Sequence, residues 1–335
     1  MKKMLVFVLM LFVVLGLVVA QGGSEDSKKG AKTYEINFGI HTSTGSNEVY
    51  ALERFKSLLE ERSEGRFSVK LFPNAALGSE LENLEQVKTG EIQMAIFGDN
   101  LTGQLAAKYD PTIIPFLYTS LQDTYSVLES DVGKMINESI ESRGNQRIVA
   151  YQSRGARNLT TRRNVTKPAD VSGLKLRIPE ITSWVTVWKA LGANPTPIAL
   201  AEVYSALQTG IVDGQENPLD LINTNKFWEV NRNIVLTEHI WGVFKWTVNL
   251  DFYNKLPADL QVMLTDTAKE CAAWGDERIA NHEQNIRKNL EAEGVNFIVV
   301  DKAEFLKAAT PGIKAVADTM DPVVKALVLK KLGSL

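Results

Sequence analysis

The sequence predicts an α/β protein organised as two lobes around largely parallel strands. Three observations support this. Strand-like and helix-like periodicities alternate between Tyr34 and Phe97, a second alternating series starts near Tyr151, and 335 residues suffice for two hydrophobic cores. The composition, 44% hydrophobic and 23% charged, is that of an ordinary soluble protein.

The elements follow in order. Lys2 and Lys3 precede an apolar run from Met4 to Ala20, which reads as a secretory signal peptide over residues 1–20. A retained anchor helix is the alternative, although the run is at the short end of a membrane span. Residues 21–32 form a polar tether. The segment LGLVVAQGGS is lipoprotein-like, but Gln21 stands where the lipidated cysteine would be, so a lipid anchor is not expected. Without Lys2 and Lys3 the formal charge moves from −3 to −3 − 2 = −5, so no basic field exists to draw nucleic acid or anionic lipid. Cys271 is the single cysteine, which rules out an intramolecular disulfide and points to a buried helix residue. These features together suggest a periplasmic protein.

Tyr34–Ile40 alternates apolar and polar residues as a strand does, and Val49, Leu52, Phe55 and Leu59 have helical spacing. Phe67–Phe72 reads as strand, Leu81–Val87 as helix and Ile92–Phe97 as strand. In the second series Arg147–Tyr151 and Leu174–Ile178 are strand-like, while Trp184, Val187, Trp188 and Leu191 mark a helix. Leu200–Gln208 repeats the helical pattern and Gly210 caps it. Pro257 opens a helical stretch that runs unbroken to Glu293 or kinks near Gly275.

Signs of bond-making chemistry are few. His41, His239 and His282 lack metal-ligand spacing, and no GxSxG or phosphate-binding loop occurs, so neither metal nor cofactor is expected. The Asn158 and Asn164 sequons carry no meaning in a bacterial protein. Two arginines stand out. Arg177 closes a strand-like run that stops at Pro179, and strand ends of α/β sheets are where ligands bind. Arg157 follows another such run across a short glycine-containing connection. A guanidinium offers a planar fork of donors matched to a carboxylate.

The segments GLKLRIPE and LGANPTPIALAEVYSALQTGIVDGQENP, with GIHTSTGSNEVYALERF, LFPNAALGSELENLEQVKTGEIQMA, NKFWEV and LPADLQ, resemble the periplasmic solute-binding proteins of TRAP transporters, the DctP-type family. The likeness covers nearly the whole mature chain. It implies a two-lobed periplasmic-binding-protein-like fold with a hinge and a long helix spanning the lobes. Lobe I would be 33–154 plus 242–282, and lobe II 155–241 plus 283–330. It also implies a non-enzymatic receptor that closes on a small organic acid and passes it to the TRAP membrane permease.

In that family Arg177 would pair with the ligand carboxylate, Arg157 would be a second carboxylate or polar contact, and Asn217 would reach the same carboxylate. By weaker carry-over His41, Glu80 and Asp99 face the pocket. Gln215 and Glu216 would bind ligand hydroxyls as part of a polar wall, and Trp241 lies near the return crossing between lobes. Leu200 stands where sialic-acid-binding relatives have an aromatic, and Asp99 is displaced from their carboxylate, which argues against sialic acid. The expected ligand is a hydroxylated monocarboxylate such as a uronate or other sugar acid; a C4-dicarboxylate or 2-oxo acid is the alternative. Readings of another class are a periplasmic hydrolase using His41 with Glu80 or Asp99, and a sensory adaptor.

Overall fold

Nine strands, β1 (Tyr34–Ile40), β2 (Phe67–Phe72), β3 (Met94–Phe97), β4 (Gln146–Thr161), β5 (Lys175–Ile178), β6 (Asn194–Pro197), β7 (Gly214–Pro218), β8 (Asn233–Asn249) and β9 (Asn296–Val299), form one sheet in the computed structural model, which describes residues 32–335. The order is β2-β1-β3-β8-β4-β7-β5-β6, with β9 also on β8. The signal peptide and most of the tether lie outside the described residues. Among the described residues no helix is long and apolar enough to cross a membrane.

The expectation of a largely parallel sheet holds at the flanks and fails at the centre. β1 pairs parallel with β2 and β3, and β5 with β6 and β7. The middle is antiparallel: β8 runs against both β3 and β4, and β4 against β7. The two long central strands are shared. One half of β8 pairs with β3 and the other half with β9.

The apolar residues sort accordingly. One cluster joins β1, β2 and the helix Asn47–Arg62 to Phe244, Trp246 and Val248 of β8; another joins Val203, Leu207, Ile222 and Phe227 to Ile234 of β8. The helix Ala258–Ala292 runs unbroken past Gly275 and contributes Leu260, Leu264, Ala268 and Cys271 to the first cluster and Ile286 and Leu290 to the second. Its 35 residues span about 52 Å at 1.5 Å per residue. A third cluster crosses the middle, joining Phe97 and Phe116 to Leu159, Trp184 and Phe305.

Two local readings are corrected. Leu200–Gln208 is a short 3-10 turn, Leu200–Glu202, followed by the α-helix Val203–Gln208. Gly210 does end that segment, at φ 75°. The polar run GQENP, expected as a polar wall of the pocket, is a buried strand, and apart from Asn217 its polar side chains are spent on neighbouring side chains.

Candidate functional site

Two irregularities in the central strands shape the site. Between Ser153 and Ala156, β4 advances three residues while β8 advances two, from Val243 to Trp241. This one-residue bulge contains Gly155 at φ 77°, a backbone conformation that costs other residues strain. On a regular strand Arg154 and Arg157, three apart, would face opposite ways; the extra residue brings both to one face. In β8, residues 236–239 loop out between Val235, opposite Leu159, and Ile240, opposite Arg157. That excursion carries His239 to Glu216.

A cavity of about 270 Å³ opens at this face, at the small end of ligand-pocket size. Its walls include His41, Glu80, Asp99 and Asn100 from one side and Arg157, Arg177 and Asn217 from the other, with Arg154, Trp184 and Leu200. The structure thus brings together six of the residues singled out by sequence: Arg177, Arg157, Asn217, His41, Glu80 and Asp99.

Arg157 is held by protein through Nε and Nη2. Nε donates to Glu216 Oε2 at 2.6 Å, and Nη2 to Glu216 Oε1 at 2.9 Å, the Glu216 carbonyl at 2.8 Å and Asn217 Oδ1 at 3.0 Å. Its guanidinium also lies 4.9 Å from the Trp184 ring centre. His239 Nε2 meets Glu216 Oε2 at 3.0 Å and its Nδ1 meets the Thr237 hydroxyl at 2.8 Å. Burial lowers the His239 pKa despite the Glu216 contact, so the ring is neutral, donating from Nε2 and accepting at Nδ1. For Glu216, burial favours the acid, but Arg157 and His239 outweigh it and hold the carboxyl below its ordinary range.

Arg177 is different. It is 3% exposed, and among the described residues its only hydrogen-bond acceptor is the Ile198 carbonyl, at 2.8 Å from Nε and 2.5 Å from Nη2. Burial pulls its pKa down to about 10, partly offset by Glu216, and it remains a cation at neutral pH.

Opposite, Lys245 Nζ donates to Asp99 Oδ1 at 2.8 Å, and Arg154 Nη1 lies 3.7 Å from Asp99 Oδ2. Burial works against the Asp99 charge, but Lys245 and Arg154 prevail and keep its pKa low. Glu80 begins the helix Glu80–Thr89, whose N-cap Ser79 forms a capping box with Glu82. The Glu80 carboxylate accepts from Gly98 N and Asn100 Nδ2, both at 2.6 Å. His41 Nδ1 lies 3.2 Å from the Ile96 carbonyl and its Nε2 3.8 Å from Glu80.

Three expected residues are elsewhere. Gln215 and Glu216 do not line the cavity. Gln215 donates to Thr160 Oγ1 at 3.0 Å and accepts from Asn217 Nδ2 at 2.6 Å, while Glu216 is consumed by Arg157 and His239. They brace the wall from behind. Trp241 lies on β8, half-buried, outside the cavity lining; its carbonyl accepts from Thr124 Oγ1 at 2.8 Å. Among the described residues, no group of three or more His, Cys, Asp or Glu is placed to hold a metal ion.

Residues 38–320 match the family described as bacterial extracellular solute-binding protein, family 7, DctP. The chain belongs to the DctP family. It is 34% identical to the solute-binding protein RD1_1052 of Roseobacter denitrificans over 83% of this chain and 85% of that one. The crystal structure of that TRAP periplasmic solute-binding protein, with bound L-galactonate, superposes with TM-score 0.82 at 31% identity, covering 90% of this chain and 99% of the other. A second TRAP periplasmic solute-binding protein from Roseobacter denitrificans, with bound β-D-glucuronate, gives TM-score 0.84 at 26% identity over 89% and 99%. The 2,3-diketo-L-gulonate-binding periplasmic protein YiaO of Escherichia coli is 31% identical over 82% and 84%. The two-lobed fold of the DctP family is therefore the fold of this chain.

Sequence reasoning missed Arg154 and Lys245 in this DctP-family site, and it read Trp184, which lines the cavity, as a core residue of its helix. For Arg154 the available signal was Gly155: the stretch read as a glycine-containing connection is the continuation of β4, where an isolated glycine marks a bulge and a bulge reverses side-chain parity.

Proposed function

We propose that this DctP-family protein is the periplasmic receptor of a TRAP transporter, that it captures a sugar acid with one carboxylate, and that it delivers the acid to the membrane permease. One observation carries the reading: Arg177 is a buried cation whose only hydrogen-bond acceptor among the described residues is a backbone carbonyl. Arg177 would take the ligand carboxylate, with Nη1 of Arg157 and the second N–H of Asn217 as further donors.

Charge supports a monoanion. In the cavity wall and directly behind it, Arg154, Arg157, Arg177 and Lys245 are set against Asp99, Glu216 and Glu80, so 4 − 3 leaves +1. Glu82, Glu180 and Glu202 lie exposed at the rim, where water screens them. A dicarboxylate would leave one charge uncompensated. The bound L-galactonate and β-D-glucuronate of the two relatives agree with this count. The hydrolase reading loses support because Asp99 is held ionised by two cations, which suits it poorly as a general acid.

An arginine–carboxylate pair open to water contributes about 0–1 kcal/mol, whereas a buried guanidinium without its partner costs several. The ligand therefore stabilises the closed arrangement, and without it the lobes, 33–154 with 242–282 and 155–241 with 283–330, would part. The bulges at 153–156 and 236–239 are where the shared strands would bend.

A thermal-shift screen tests this. L-Galactonate or D-glucuronate at 100 times its dissociation constant should add about 2.7 kcal/mol of stability, while succinate should add none. A shift with succinate, or with no sugar acid, would overturn the reading.

A further inference from the structure

Arg154 is 8% exposed, yet among the described residues its side chain makes no hydrogen bond. Its nearest carboxylate is that of Asp99, with Oδ2 at 3.7 Å, and its guanidinium lies 4.2 Å from the centre of the Phe244 ring. Nε is buried with no partner, and so are Asp99 Oδ2 and Asn100 Oδ1, both on residues that line the same cavity. Buried polar groups are nearly always bonded, and a buried Nε that no protein acceptor meets, on a guanidinium lining the cavity, points to a partner in the cavity. The site makes room for it: a Cβ at Gly98 would sit 2.2 Å from Arg154 Nη1.

Electroneutrality limits what fills the fork. Arg154 and Lys245 on this wall face Asp99 and Glu80, so 2 − 2 leaves no net charge, unlike the wall that carries Arg177. Neutral oxygens fit: a hydroxyl can accept from Arg154 while donating its own proton to Asp99 or Asn100. We propose that Arg154 is a specificity-determining residue that reads hydroxyl or ring oxygens of the ligand remote from its carboxylate, so that the receptor requires a polyhydroxylated chain beyond the acid group. This inference rests on the sugar-acid reading above and adds the residue that would select the chain.

The alternative is that Arg154 serves only as a counter-charge for Asp99. Lysine separates the two, because it supplies the charge without the planar fork. Wild type, Arg154→Lys and Arg154→Gln are titrated calorimetrically with L-galactonate, D-glucuronate and D-glycerate, and their ligand-free melting temperatures are measured in parallel. Both variants should lose at least about tenfold in affinity for the six-carbon acids, to within about threefold of each other, with melting temperatures close to wild type. D-Glycerate, too short to span to Arg154, should bind no more weakly to the variants than to wild type. Recovery of six-carbon binding by Arg154→Lys to within about threefold of wild type, or an unchanged Arg154→Gln, overturns the proposal while leaving the sugar-acid reading intact. Wild type binding none of these acids overturns both.

Discussion

Arg157 and Arg177 line one cavity, both are buried, and they differ in what holds them. Arg157 has a carboxylate of the chain itself, a carbonyl and an amide within 3.0 Å. Arg177 has one carbonyl. The contrast separates scaffold from receptor: a cation neutralised from within braces the wall, and a cation without a bonded carboxylate has affinity to offer. Glu48 presents the opposite case. It is 2% exposed with Oε1 unpaired, and it sits near Asp220, whose Oδ2 accepts from Asn47 N at 2.8 Å. Burial, then Asp220, push the Glu48 pKa above the ordinary glutamate range. Burial also raises Asp220, with Glu283 adding to it and the Asn47 amide and Arg278 opposing. Here no cation offsets the burial, and the balance moves toward the protonated form.

The largest effect should come from breaking the satisfied pair. Glu216→Ala leaves Arg157 buried without its counter-charge and should cost about 3–5 kcal/mol of folding stability in urea denaturation. A cost below about 1 kcal/mol would mean that Arg157 is not braced as described. Removing the unsatisfied arginine should do the reverse. Arg177→Met should leave the ligand-free protein at least as stable as wild type, while sugar-acid affinity in titration calorimetry drops at least about tenfold. A destabilised but binding-competent variant would erase the distinction between the two arginines.

The smallest effect concerns Glu48. A carboxyl whose folded pKa is raised prefers its proton in the fold, so stability is full below the unfolded glutamate range and is lost as pH rises through the raised folded value. Glu48→Gln removes that loss. Its melting temperature should exceed wild type by roughly 1–3 °C at about pH 8 and match it at about pH 4. A constant difference across that range would assign the effect to packing, not to titration.

Much of the fold could be read along the chain because each element announces itself locally. The alternation in Tyr34–Ile40, the helical spacing from Val49 to Leu59 and the glycine stop at Gly210 depend on neighbours within one or two turns. Parity was harder. Whether Arg154 shares a face with Arg157 depends on a single bulge, and the signal for it is one glycine. The DGQENP run misled for a related reason: its side chains look available in sequence, and only the partners brought by β4 and β8, Thr160, Arg157 and His239, show that Gln215 and Glu216 are already engaged.

Residue order alone was enough for the α/β class, for the extent of the helical stretch after Pro257 and for singling out the arginines as candidates, because helical and strand periods and guanidinium chemistry are short-range properties. Which strands meet antiparallel at the centre, and which polar groups keep a free valence, was decided by contacts between residues 59 to 146 positions apart, such as Arg157 with Glu216 and Lys245 with Asp99. A hydrogen-bonding group carries no local mark of whether its partner will be protein or ligand. Burial makes that choice consequential, and burial exists only once the chain has folded.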